Sequence, residues 1–127
     1  MKILMITTPQ RGKTGRKFPL YGLLSVMNYV RKRSGDDVNI ELYNIDVHRP
    51  DFEKVIADIN AFSPDIVGIS AVVSTAYSYT KRLAQAVKKT MPDTRVVVGE
   101  TCVPPRKYCC EELRWMYVSL ERVSKCF

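Results

Sequence analysis

Four short stretches of the chain carry the apolar pattern of β-strands. The run from Ile66 to Ile69 is apolar at every position. A strand without a polar face is covered on both sides, as in the middle of a parallel sheet. Ser70 begins the small polar segment that follows, at the carboxyl end of the strand, where doubly wound sheets bind ligands. The pattern predicts strands at residues 2–7, 38–43, 66–69 and 95–99, the second of them more exposed because its apolar positions alternate.

Between these strands, apolar residues recur at helical spacing in three segments. The first helix is predicted to end before Gly35, the second to start at Pro50 and Asp51, and the third to close at Pro92. The side chains expected to face the sheet are Leu20, Leu23, Leu24, Met27 and Val30 in the first helix and Val55, Ile56 and Ile59 in the second; Ala76, Leu83, Ala84, Val87 and Met91 mark the third.

Strands and helices therefore alternate, with connections long enough for right-handed crossovers between parallel strands. This order predicts an α/β fold: a flavodoxin-like (Rossmann-like), three-layer, doubly wound parallel sheet. Such a sheet normally continues with one more helix and strand, which we expect to be missing or replaced here. Residues 1–99 are predicted to form the domain, and residues 100–127 an atypical tail.

The chain has 127 residues and a formal net charge of +7. Its basic clusters, at residues 11–17 and 31–33, are not interleaved with aromatic residues, as a groove for single-stranded nucleic acid would be. No apolar run has the length of a membrane span, and the start has no signal-peptide layout. We expect a cytoplasmic protein without nucleic acid or membrane partners.

Three segments in their order and spacing carry a family resemblance: KILMITTP at the start, FPLYGLLSVMNYVRK from the loop into the first helix, and the pair PDIVGISAVV and PDTRVVVG. They resemble the N-terminal cobalamin (B12)-binding domain that precedes the radical SAM domain in many bacterial and archaeal enzymes. The resemblance covers residues 1–99. It implies a corrinoid over the carboxyl ends of the strands, with its nucleotide tail entering between them. It also implies a binding module without catalysis of its own, from a parent radical SAM enzyme.

Carried over residue by residue, the resemblance implies that the corrinoid contacts the loop after the first strand, the start of the first helix and the strand ends. Glu100 stands where the family has a second glycine. A hydroxyl such as that of Ser70 can hydrogen-bond a heterocyclic nitrogen, although it could equally cap the next helix. The implied cofactor-binding residues are Thr8, Pro9, Leu20, Gly22, Ser70, Val72 and Gly99.

His48 is the one histidine of the chain. With Asp46 it echoes the Asp-x-His pair that ligates cobalt in other B12 domains, but that pair belongs after the first strand, where this chain has Gln10. We therefore expect His48 to be an ordinary loop histidine. No protein metal ligand is predicted, and cobalamin is expected to bind without a histidine.

Other chemistries of this fold class lack their residues. Thr8 and Ser70 stand where a phosphoryl receiver needs carboxylates, and the segment from Gln10 to Gly15 lacks the G-x-G-x-x-G spacing of a dinucleotide site. The cysteines fit neither the C-x-x-x-C-x-x-C triplet of an iron–sulfur cluster nor zinc-ligand spacing. The alternative class is a stand-alone flavodoxin-like interaction or nucleotide-binding protein with a genuine cysteine-containing tail.

The tail holds all four cysteines and the single tryptophan, and it has no clean α/β periodicity. If one G is restored in codons chosen for Gly99 to Cys102, the glycine pair of the family reappears. The shifted frame then reads GGNLCASAEILLRRTAVDVCVIGEGEQVF, which contains a helix and a buried strand in the expected order. We therefore interpret the tail as a frameshift product. Without a further strand, residues 96–98 would form an exposed edge, which predicts self-association through the fourth strand.

Overall fold

The computed structural model describes residues 1–9, 20–71 and 76–100. Strands and helices alternate as the sequence predicts. The strands are β1 (Lys2–Thr7), β2 (Asn39–Asn44), β3 (Ile66–Ala71) and β4 (Arg95–Glu100), and the helices are α1 (Tyr21–Ser34), α2 (Ile45–His48), α3 (Phe52–Phe62) and α4 (Tyr77–Thr90), with one 3-10 turn at Gly35–Asp37.

The four strands of the described residues form one parallel sheet in the order β2-β1-β3-β4. β1 and β3 therefore lie in the middle, as the continuous apolar pattern of β3 predicts. The chain leaves β1 toward β2 and then returns across β1 to β3. This reversal places the topological switch point of the sheet between β1 and β3, which confirms the α/β, flavodoxin-like prediction.

The larger core lies between the sheet and helices α3 and α4. Its helix members include Val55 and Ile59 from α3 and Leu83 from α4, all with no measurable exposure. They pack on alternate residues of the strands, because successive side chains of a strand point to opposite faces. The strand residues of this core are Leu4, Ile6, Val67, Ile69 and Val96, with Val98 partly buried against it.

The second, smaller core lies on the α1 side of the sheet. Leu23 and Met27 of α1 pack there with Ile3 of β1 and Ile40 of β2. Met5, Leu20, Val30, Leu42 and Ile66 are among the partly buried side chains that pack against this cluster. The sheet thus has helices on both faces, as a three-layer architecture requires.

Leu24 does not face the sheet, so the prediction that it does is wrong. Its side chain is 44 % exposed, whereas neighbouring Leu23 is 8 % exposed. At 3.6 residues per turn, a helix on one side of a sheet buries a single stripe, and Leu24 falls beside the stripe that holds Leu23 and Met27.

Helix α2 was not predicted, and His48 is its last residue and not part of a loop. The Asn44 side chain accepts a hydrogen bond from the Val47 backbone N–H (3.2 Å) and so caps this single turn. Arg49, which follows in the left-handed conformation, ends it. Such a short helix leaves no hydrophobic period in the sequence that could predict it.

The end of α1 and both ends of α3 lie where the sequence predicts them. Gly35 ends α1 with a φ of +56°, a conformation that glycine adopts without strain. Asp51 is the N-cap position of α3, and Ser63 ends that helix in the left-handed conformation before the buried Pro64.

Several predictions lie outside the described residues. These are the frameshifted tail, the missing or replaced last helix and strand, and everything said of residues 101–127. Among the described residues, β4 is the last strand of the sheet and pairs with β3. Self-association through β4 stays a prediction. In the described parts of the chain, no helix combines the length and the apolar character that a membrane span needs.

Candidate functional site

The candidate site lies at the carboxyl ends of β1 and β3, beside the switch point. Thr8 follows β1 directly and is 3 % exposed. Its backbone N–H (3.4 Å) and its hydroxyl (3.2 Å) both donate to the carbonyl oxygen of Ser70 on β3. Two hydrogen bonds from one residue hold the end of β1 against the end of β3. The structure thus brings together Thr8 and Ser70, which are far apart in the sequence.

Ser70 belongs to a row of residues that crosses the sheet. In the parallel register, Thr7 pairs with Ser70, and Ser70 pairs with Gly99. Asn44 continues the row on β2, where it accepts a hydrogen bond from the Thr7 hydroxyl at 2.9 Å. Paired residues of parallel strands share a face, and the alternate residues Ile69 and Val98 pack on the α3 and α4 side. The row therefore faces the α1 side.

One step further from the rim, Met5, Gly68 and Val97 form a second row on the same face. Gly68, Ser70 and Gly99 thus lie next to one another on β3 and β4, and we call these three residues the trough. All three have small side chains or none. At Ser70 and Gly99, a flat group that enters from the rim can therefore approach the backbone closely.

The two glycines of the trough are surrounded differently. A Cβ atom on Gly99 would lie 3.6 Å from the Ile69 carbonyl oxygen and 3.9 Å from the Ser70 Cα, which are ordinary contacts. A Cβ atom on Gly68 would lie 2.5 Å from the Met5 sulfur. Space is thus left open at Gly99, whereas Met5 already fills it at Gly68. The rim end of the trough, at Gly99, is therefore the part where an added carbon atom fits.

The remaining predicted residues are more dispersed. Pro9 is half-buried next to Thr8, and Leu20 is half-buried where α1 begins, against the smaller core. Gly22 is exposed in the first turn of α1, with nothing within 4 Å of the position of a Cβ. Val72 lies outside the described residues. The structure therefore joins Thr8, Ser70 and Gly99 in one site and leaves Gly22 at the surface.

Residues that the sequence analysis missed complete this site: Thr7, Asn44, Met5 and Gly68. These residues join the site through the register of the strands, because in-register parallel strands place Thr7 beside Ser70. Register depends on how the strands align in space, and strand boundaries in the sequence do not determine it.

His48 is exposed at the end of α2 and is not part of the trough. With Arg49 and Lys54 it lines an open pocket of about 550 Å³ that also contains Tyr43 and Asp58. The Tyr43 hydroxyl donates to Asp58 Oδ2 at 2.6 Å. Burial, the hydrogen bond to Asp58 and the charge of that carboxylate raise the pKa of Tyr43 to about 12. The hydroxyl thus remains protonated at neutral pH, and its bond joins β2 to α3.

Comparison with protein families decides what kind of domain this is. Residues 10–109 match the family model described as the B12 binding domain. The chain belongs to the B12-binding domain family. The match begins at residue 10, after the end of β1, and includes β3 and β4 with the trough. It confirms the cobalamin-binding part of the resemblance.

A solved structure similar to this B12-binding domain is that of a cobalamin-binding protein from Desulfitobacterium hafniense DCB-2. The two share 16 % sequence identity and a TM-score of 0.50, which shows a common fold. The alignment covers 97 % of this chain and 49 % of the other, so the chain spans about half the length of that protein. No curated protein sequence matches the chain.

Proposed function

We propose that the chain binds the nucleotide tail of cobalamin in the trough and catalyses no reaction by itself. The observation that carries this proposal is the position of Ser70 at the carboxyl end of β3, next to the switch point of a B12-binding domain, with Gly68 and Gly99 beside it. This is where a doubly wound sheet binds ligands. When bound, the corrinoid supplies cobalt-centred chemistry, and the protein supplies the position of the ring.

Each residue of the site has a separate role in this proposal. Ser70 would donate its hydroxyl hydrogen to a nitrogen of the heterocyclic base. Gly99 leaves room for the plane of the base, because it has no Cβ above the Ile69 carbonyl. Thr8 fixes the Ser70 backbone through the two hydrogen bonds to its carbonyl oxygen, so that the serine side chain starts from a defined place.

The corrinoid is proposed to bind without a histidine from the protein. His48 is exposed at the end of α2 and lines the pocket that contains Tyr43 and Asp58, and Gln10 stands at the sequence position where the family places its ligand. The parent protein is proposed to be a B12-dependent radical SAM enzyme. The three sequence segments support that parentage, and the substrate chemistry would reside in the other domain.

The tail is proposed to result from a frameshift after Gly99. The loss of the family's second glycine at Glu100 supports this origin, as does the return of helix and strand patterns in the shifted frame. Sequencing of the gene tests the proposal directly. Codons at positions 99–102 that cannot give the restored reading would exclude it.

Retention of hydroxocobalamin after desalting, read from its visible absorption spectrum, tests the function. We expect weak retention, or none, by the 127-residue chain and strong retention by a frame-restored chain. Ser70→Val should lower retention by the restored chain, since the lost hydrogen bond costs about 1 kcal/mol or more. Ser25→Val, at an exposed position of α1, is the matched control and should retain corrinoid normally. A restored chain that retains none would favour a generic interaction or nucleotide-binding protein.

A further inference from the structure

Met5 and Gly68 form a closely fitted pair in the trough. Met5 lies on β1 opposite Gly68 on β3, one row away from Thr7 and Ser70. The Met5 sulfur is 2.5 Å from the place where a Cβ of Gly68 would be, and the Met5 methyl carbon is 3.0 Å from it. The thioether therefore lies across the backbone of Gly68. The space beside Gly68 is occupied by the Met5 side chain and is not free for a ligand.

We propose that Met5 is the floor of the trough and selects corrinoids by the size of their lower base. This inference rests on the proposed function. Gly68 precedes Ser70 by two residues, which corresponds to about 6.6 Å along a strand. A base of about that length whose near nitrogen meets Ser70 would reach the Met5 thioether with its far edge. The depth available to the base is set by the length and position of this one side chain.

The chemistry of a thioether suits this place. Sulfur makes favourable contacts with the edges of aromatic rings, and a methionine side chain adapts its shape through three rotatable bonds. Met5 is half-buried, packed against the smaller core on one side. It can thus contact an aromatic base from below while the core holds its stem. Val97 flanks Gly68 on β4 in the same row and adds an apolar wall.

Three corrinoids differ in the nucleotide tail, which is the part that would reach Ser70 and Met5. Cobalamin carries a dimethylbenzimidazole base, the benzimidazolyl analogue lacks the two methyl groups, and cobinamide lacks the nucleotide tail. Equilibrium titration followed by absorption gives the three affinities, in the 127-residue chain and in the frame-restored chain. Met5→Ala should deepen the trough and raise the affinity ratio of cobalamin to the benzimidazolyl analogue by about tenfold, because two methyl groups gain buried space. Cobinamide affinity should not change.

Gly68→Ala gives the opposite test. Its new Cβ would displace the Met5 sulfur, a movement that the flexible end of the side chain can make. The displaced thioether rises into the trough, so cobalamin should bind more weakly while cobinamide binds as before. Met27→Ala is the matched control, since Met27 belongs to the same core cluster but lies on α1. It should leave all affinity ratios unchanged, and thermal melting checks that each variant is folded.

The outcomes separate this inference from the proposed function. If the unmodified chains bind corrinoids but Met5→Ala and Gly68→Ala leave the ratios unchanged, Met5 is not the floor and cobalamin binding stands. If Met27→Ala shifts the ratios as much as Met5→Ala, the effect belongs to the core as a whole and the inference fails. If neither chain binds any of the three corrinoids, the proposed function is wrong, and the inference falls with it.

Discussion

The Tyr43 hydroxyl donates a hydrogen bond to the Asp58 carboxylate at 2.6 Å, which joins β2 to α3. The bond is short because its acceptor is charged. Tyr43 also packs against the larger core, next to the pocket that His48 lines. The edge strand β2 is thus tied to the helix that follows it by a polar contact as well as by the sheet.

This contact predicts a loss of stability at alkaline pH. Burial, the Asp58 hydrogen bond and the Asp58 charge raise the pKa of Tyr43 from 10.0 to about 12. Above about pH 10 the unfolded chain therefore loses this proton before the folded chain does. The free energy of unfolding should then fall as the pH rises from about 10 to 12. Urea unfolding across this range measures the decline, and Tyr43→Phe should make it shallower. An unchanged slope in Tyr43→Phe would assign the decline to other groups.

Truncation of the two leucines at the start of α1 should lower the free energy of unfolding by very different amounts. Leu23→Ala should lower the free energy of unfolding by about 2–5 kcal/mol, because it leaves a cavity in the smaller core. Leu24→Ala removes an exposed side chain and should cost less than about 1 kcal/mol. Both residues are leucines in the first turn of α1, so each variant is the control for the other. Equal costs in urea unfolding would contradict the orientation of α1.

Thr94, just before β4, makes a buried hydrogen bond that we expect to stabilise the fold. Its side chain is 5 % exposed, and its hydroxyl donates to the Pro64 carbonyl at 2.9 Å. Thr94→Val keeps the shape but leaves that carbonyl without this donor, which should cost about 1–3 kcal/mol. Thr90→Val is the control, because the Thr90 hydroxyl bonds within its own exposed helix end. Similar melting temperatures for both variants would show that the Pro64 contact adds little.

Substitution of Gly99 by alanine should leave the stability of the chain unchanged but weaken ligand binding. A Cβ there makes only ordinary contacts, so Gly99→Ala should melt close to the unmodified chain. Each added carbon fills space above the trough, so hydroxocobalamin affinity of the frame-restored chain should fall in the order glycine, alanine, valine. Equal affinities in all three would remove Gly99 from the site.

The local pattern of residues was enough to predict the elements and their order. The unbroken apolar run of β3 indicated a central strand, and the structure places it between β1 and β4. Helix ends at Gly35 and Asp51 agree because caps and left-handed turns depend on a few adjacent residues. The resemblance placed Thr8, Ser70 and Gly99 in one site before any contact between them was known.

Contacts across strands were decided only in three dimensions. Leu24 fits a helical period as well as Leu23 does, and only the direction from which α1 meets the sheet exposes one and buries the other. The hydrogen bonds from Thr8 to Ser70 and the fit of Met5 over Gly68 depend on the register of β1 against β3. Register arises from the packing of both faces at once, so residues more than sixty positions apart in the sequence carry no local sign of it.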